Sequence, residues 1–270
     1  MAGQGVNLAL ASATEVARLV ASREVSPLEV LAAARAQVEE YNAALNALVT
    51  PNPRAADEAA AVERRLAAGE RLPLAGLPVG IKDVTPVAGL RTTYGSPLYR
   101  DHVPVEDALV VQRLRQAGAV ILGKTNTPEF AAGGNTWNDV FGRTRNPWNP
   151  EKSAGGSTGG GAVGLATGMI ALAEGTDLGG SLRIPASFCG VVGLRPSPGL
   201  VPTHPSDWVW DTLQVTGPMA RTAEDVALML QAVAGPSPYA PLRQPTAGRD
   251  FVAAVRAGPR RGLRVAYCAD

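Results

Sequence analysis

Along the first quarter of the chain, apolar residues recur every three to four positions, and this period predicts helices over residues 12–69. Ser12 with Glu15 and Ser26 with Glu29 each spell a capping box, the second with Pro27 at the first helical position. Leu28, Leu31 and Val38 fall near helical spacing, and residues 54–68 read as an alanine-rich helix between Pro53 and a stop at Gly69. The period then changes. Residues 77–84 form a short continuous apolar run, the pattern of a buried strand, ending in Lys82 and Asp83 before turn-rich residues 85–95. An amphipathic helix is expected over 106–118 and a strand over 119–122. After a long glycine-rich stretch, residues 222–234 read as a helix capped by Thr222, with Val226, Leu228, Met229, Leu230 and Val233 as its apolar face. Residues 236–261 read as a solvated connector with a short helix, and 263–267 as a strand. Residues 1–70 are thus expected to be an N-terminal helical segment packed on a core formed by 71–270, both within one α/β domain.

Composition narrows the function classes. A chain of 270 residues can bury a sizeable core. Lys+Arg 25 against Asp+Glu 24 gives a net charge of +1, so nothing steers the protein to nucleic acid or an anionic membrane. Cys189 and Cys268 form neither a disulfide framework nor a zinc site, and no metal or organic cofactor is expected. No cationic start leads into a long apolar run at the N-terminus, which points to a cytoplasmic protein.

The chemistry concentrates in residues 152–198, where Ser157 in Gly-Gly-Ser-Thr-Gly-Gly and Ser181 in Leu-Gly-Gly-Ser-Leu-Arg flank an apolar segment. Glycine weakens helices and strands, so such a cluster is kept where backbone must bend or approach another group closely. Lys82 is the third candidate. The chain has only three lysines, Lys82, Lys124 and Lys152, against 22 arginines, so arginine is its ordinary surface cation. A lysine at the end of a buried strand can lose its proton, which arginine cannot.

Three patterns compete with that reading. Residues 118–125, GAVILGKT, match the phosphate-loop pattern, but their four intervening residues are themselves the expected strand. Residues 159–164, GGGAVG, match G-x-G-x-x-G without the preceding strand that a dinucleotide site requires, and close packing at a helix start explains them better. Residues 155–159 fit the G-x-S-x-G nucleophile elbow of α/β-hydrolase esterases, which would make Ser157 the nucleophile; of the two histidines, only His204 lies downstream of it.

The serine-rich loop, the Gly-Gly-Ser-x-Arg loop and the upstream Lys-Asp occur together, with further blocks at residues 121–131 and 217–235. In this combination the sequence resembles the amidase signature family of serine hydrolases, over about residues 77–235. The resemblance implies an α/β fold with a mixed β-sheet flanked by helices, present here as the N-terminal and middle portion of the domain and so C-terminally truncated. It implies hydrolysis of carboxylic amides, with Ser181 as nucleophile, Ser157 as proton relay behind a cis peptide bond, and Lys82 as base. Backbone of Leu178, Gly179 and Gly180 would form the oxyanion hole. Asp177 and Arg183 would pair to shape the loop, with Ser153 and Thr158 in support; Thr158 stands where the family's commonest wording has serine. The family also includes the glutamine-hydrolysing subunit of tRNA-dependent amidotransferases; Asn135, Thr136, Trp137 and Asn138 look more like the free-standing amidases. A non-enzymatic or inactive shortened domain is the remaining alternative. The expected partner is a small amide, with a homodimer allowed.

Overall fold

The computed structural model describes residues 6–268. Helices α1 (Ala13–Ala21) and α2 (Pro27–Leu45) open the chain and lead through strand β1 (Leu48–Pro51) to α3 (Ala55–Ala67). Strand β2 (Pro78–Lys82), helix α4 (Leu109–Gln116) and strand β3 (Val120–Thr125) follow, then a hairpin of β4 (Trp137–Asn138) and β5 (Gly142–Arg143). Helix α5 (Gly159–Ala166), β6 (Leu172–Asp177), α6 (Arg183–Cys189), β7 (Val192–Gly193), β8 (Val215–Ala220), α7 (Ala223–Val233) and α8 (Phe251–Arg256) complete the order.

The start signals work unequally. Ser26 makes a full capping box with Glu29, whereas Ser12 accepts the Glu15 N–H but receives nothing back, because the Glu15 carboxylate turns to Arg18 at 3.1 Å. Leu28 is exposed, and the buried face of α2 is set instead by Val30, Leu31 and Ala34. Thr222 caps α7 through the Asp225 N–H.

Six strands form one mixed sheet in the order β1-β3-β2-β6-β8-β7. The central trio β3, β2 and β6 is parallel, while β1, β8 and β7 join antiparallel. Every residue of β2, β3, β6 and β8 is buried, so both faces of the central sheet are covered. β1 lies within the stretch expected to be helical, so residues 1–70 supply an edge strand to the sheet as well as helices. The strand expected at 263–267 is not formed. Leu263, Val265 and Tyr267 are 64%, 82% and 89% exposed, and a strand without a hydrogen-bonded neighbour does not hold its shape. Among the described residues, no helix is long and apolar enough to cross a membrane.

The glycine-rich helix α5 packs against β2, β3 and β6. At Gly160 a Cβ would sit 2.3 Å from the Asn126 nitrogen and 2.6 Å from the Ala47 carbonyl oxygen. Both obstacles are backbone and cannot swing aside. Gly160→Ala is expected to destabilise the fold by about 1–3 kcal/mol, read as a lower urea midpoint at unchanged slope. Residues 159–164 thus serve close packing. The phosphate-loop pattern likewise dissolves into structure, since Gly123, Lys124 and Thr125 are the end of β3.

Candidate active site

Three segments of the sheet and its loops converge on one point. Lys82 is the last residue of β2 and is wholly buried. Its Nζ donates to Ser157 Oγ at 2.6 Å and to Thr176 Oγ1 on β6 at 2.9 Å. It makes no ion pair with Asp83, whose carboxylate accepts the Thr93 N–H and hydroxyl instead. Burial drags the Lys82 ammonium down to about 7, against the opposing pull of Glu174 and Asp177. A lysine in this state is half deprotonated at neutral pH and can accept a proton from a hydroxyl at hydrogen-bond distance.

Ser157 precedes α5 and is buried, with a cis peptide bond joining it to Gly156. The next residue, Thr158, donates its N–H to the Ser181 carbonyl at 3.2 Å, which ties the two serine loops together. Ser181 lies between β6 and α6 and is half-buried. Among the described residues no protein group hydrogen-bonds its hydroxyl, so the Oγ is left open towards solvent. Ser153 braces the loop from outside: its hydroxyl donates to Asn135 Oδ1 at 2.6 Å and accepts the Gly155 N–H at 3.0 Å. Thr136 adds a second brace, its hydroxyl donating to the Gly155 carbonyl and accepting the Gly159 N–H.

Asp177 organises the Ser181 loop. Its carboxylate, fully enclosed, accepts the N–H groups of Gly180 and Leu182 at 2.9 and 3.1 Å. Arg183 forms a two-pronged ion pair with it, both contacts at 3.1 Å, and Arg195 adds a third cationic contact at 3.2 Å. Burial by itself would raise this carboxyl, but the Arg183 and backbone hydrogen bonds outweigh it and hold it at about 2. The pairing expected of Asp177 and Arg183 is therefore made.

The oxyanion donors need one correction. The Gly180 N–H is already given to Asp177, so it cannot also point at a substrate oxygen. Gly180 has φ of +119°, a conformation suited to glycine, and this turn is what aims its N–H inward. The N–H groups of Leu178, Gly179 and Ser181 meet no protein acceptor among the described residues, and Leu178 and Gly179 are exposed. A pair of adjacent open N–H groups beside a serine hydroxyl can hold a developing oxyanion.

Thr176 connects this centre to a cavity of about 270 Å³ lined by Tyr94, Phe130, Thr203 and His204 among others. The His204 ring stacks on Tyr239, centroids 4.4 Å apart, and no hydrogen bond joins it to Ser157 among the described residues. Those residues hold no cluster of His, Cys, Asp and Glu able to bind a metal ion.

Sequence reasoning missed Thr176, Glu174 and Arg195. Thr176 carries no signal in the sequence. Glu174, a lone carboxylate in the apolar run Ala-Leu-Ala-Glu, does carry one. Lys124 was visible as one of three lysines and proves as buried as Lys82.

Comparison with known proteins agrees with this geometry. The amidase family profile matches residues 29–270. The chain is 44% identical over 263 residues to an acylamidase of Rhodococcus erythropolis, covering 97% of this chain and 55% of that one. It is 43% identical over 256 residues to a glutamyl-tRNA(Gln) amidotransferase subunit of Deinococcus radiodurans, covering 93% and 53%. Among solved structures, a bacterial aryl acylamidase of the amidase signature enzymes superposes with a TM-score of 0.86 at 34% identity, covering 91% of this chain and 52% of that one. A 6-aminohexanoate cyclic dimer hydrolase complexed with substrate gives 0.84 at 37%, covering 93% and 52%. The chain spans about half the length of the curated relatives it matches. Sheet, serine loops and relatives all lead to one conclusion: the chain belongs to the amidase signature family of enzymes that act on carbon–nitrogen amide bonds.

Proposed function

We propose that this chain carries a Ser-Ser-Lys site that hydrolyses carboxylic amides to the acid and ammonia or an amine. The observation that supports it most is the 2.6 Å contact between wholly buried Lys82 and Ser157, whose neighbour Thr158 is tied to the Ser181 carbonyl. Neutral Lys82 accepts the Ser157 proton, Ser157 accepts that of Ser181, and Ser181 Oγ attacks the carbonyl carbon. The oxyanion is held by N–H groups of Leu178, Gly179 and Ser181. As the tetrahedral intermediate collapses, the relay returns the proton to the leaving nitrogen, and water repeats the sequence to release the acid. A small amide entering from the cavity beside Thr176 is the partner this requires, and we place the protein in the cytoplasm.

A fluorophosphonate probe tests the assignment of roles. Labelling is expected at Ser181, located by peptide mass spectrometry, and is expected to persist in His204→Ala. Labelling at Ser157 that vanishes in His204→Ala would establish the nucleophile-elbow arrangement instead. A second reading, the glutamine-hydrolysing component of an amidotransferase, is favoured by the 43% identity to a protein of that kind, which nearly equals that to the acylamidase. Hydrolysis of free glutamine in preference to simple aryl and aliphatic amides would select it.

A further inference from the structure

Beside the Lys82–Ser157 contact lies an ionisable cluster that the three-residue chemistry leaves unused. Asp83, Lys124 and Glu174 have no exposed surface at all. Enclosed charges are tolerated only when partnered. Lys124 Nζ donates to the Thr85 carbonyl and, at 3.1 Å, to the Thr92 hydroxyl, while Asp83 is held by Thr93. Glu174 grips β2 itself. Its Oε2 accepts the backbone N–H of Lys82 at 3.2 Å, and its Oε1 accepts the Thr85 hydroxyl at 2.9 Å. The register between β2 and β6 ends with Ile81 opposite Glu174, so the Glu174 side chain reaches the N–H of Lys82, the next residue along β2, at the end of the ladder.

We infer that Glu174 is a positioning residue acting through Lys82, clamping the end of β2 so that Nζ meets Ser157 and keeping a negative charge next to that amine. The inference rests on reading Lys82 as the base. The charged groups facing Lys82 are Glu174 and Asp177, both on β6; Lys124, on β3, faces Asp83 and Glu174, with Asp107 further off. Burial pushes the Glu174 carboxyl up, and Thr85, Lys124 and Lys82 draw it back. Donors on both its oxygens match the ionised form. That charge favours protonated Lys82 and so opposes the effect of burial.

The scarcity of lysine makes the test direct, because lysine labelled with ¹³C and ¹⁵N gives three side-chain resonances, with exposed Lys152 as internal reference. Glu174→Gln retains an amide that can replace both hydrogen bonds but removes the charge. Lys82 is then expected to titrate about one pH unit or more lower, and the acid limb of Ser181 probe labelling to move with it. Glu174→Asp keeps the charge on a shorter reach; it should leave the Lys82 titration near that of the unmodified protein while slowing labelling at every pH. A folded Glu174→Gln protein whose Lys82 titrates where it did before overturns the inference, as does a Glu174→Asp protein labelled at full rate. If the titration moves as expected while Ser181 labelling ignores Lys82→Ala, the inference about Glu174 stands and the reading of Lys82 as the base fails.

Discussion

Replacing Lys82 with alanine is expected to slow modification of Ser181 by a fluorophosphonate roughly a hundred- to ten-thousand-fold, the usual range for losing a general base. Among the described residues no other base hydrogen-bonds the Ser157 hydroxyl, and Thr176, the other group on Nζ, carries a hydroxyl that is no base at neutral pH. In the unmodified protein the labelling rate should rise with pH through about 7, where Lys82 gives up its proton, and this limb should be absent from the variant. Unfolding does not offer an equivalent explanation, because the same lysine weakens the fold. Its folded pKa lies below its ordinary value of 10.5, so the unfolded chain binds more protons between about pH 7 and 10.5. The Lys82 contribution to stability therefore rises as pH rises across that window. Lys82→Met removes the group and should unfold at no lower urea concentration than the unmodified protein near pH 7, while remaining unreactive towards the probe. A Lys82→Met protein that labels normally would end the Ser-Ser-Lys reading.

Asp177→Ala should produce the largest loss of stability among the site variants, about 3 kcal/mol, with Asp177→Asn intermediate. The carboxylate is enclosed, and its removal strands the N–H groups of Gly180 and Leu182 and deprives Arg195 of its counter-charge. The Arg183 partner matters less, being 55% exposed. The pH dependence follows from the carboxyl lying at about 2, below its ordinary 3.8. Its stabilisation is fully present above about pH 4 and is lost as pH falls towards 2. Urea midpoints measured between pH 2 and 7 should converge for the variant and the unmodified protein at the acid end. A constant gap across that range would mean that Asp177 acts through shape alone. Freed from Asp177, the Gly180 N–H would also turn, so labelling at Ser181 should fall along with stability.

The parts of this architecture written in local signals were legible from the residues. Ser26 with Glu29, and Thr222, mark helix starts because a cap is a contact between neighbours in sequence. Lys82 stood out because a lysine ends an apolar strand in a chain that otherwise uses arginine. Ser157 and Ser181 stood out because paired glycine loops are hard to explain as packing. What escaped depends on partners distant in sequence. β1 is four residues long and half-buried, and only the edge of β3 makes it a strand. β8 hides in a stretch containing Gly217 and Pro218, residues that weaken a strand reading, and it is specified by β6 on one side and β7 on the other. The reverse error at 263–267 has the same origin, since local β-propensity without a neighbouring edge predicts a strand that the structure does not form. The role expected of the Gly180 N–H went astray because a loop sequence does not say which of its amides an enclosed carboxylate will claim.

The parallel pairing of β2 with β6 has a consequence for how the protein comes into being. Lys82 and Ser157 are 75 residues apart in sequence, and the lysine leaves the ribosome well before its partner. Neither can approach the other until strands remote in sequence have closed into order, and such non-local closures are the slow steps of folding. The serine loops can therefore exist as loops long before Lys82 reaches Ser157. On the proposed Ser-Ser-Lys reading, a nascent or partly refolded chain is expected to be chemically quiet, and the moment its serine answers a probe would date the closing of β2 against β6.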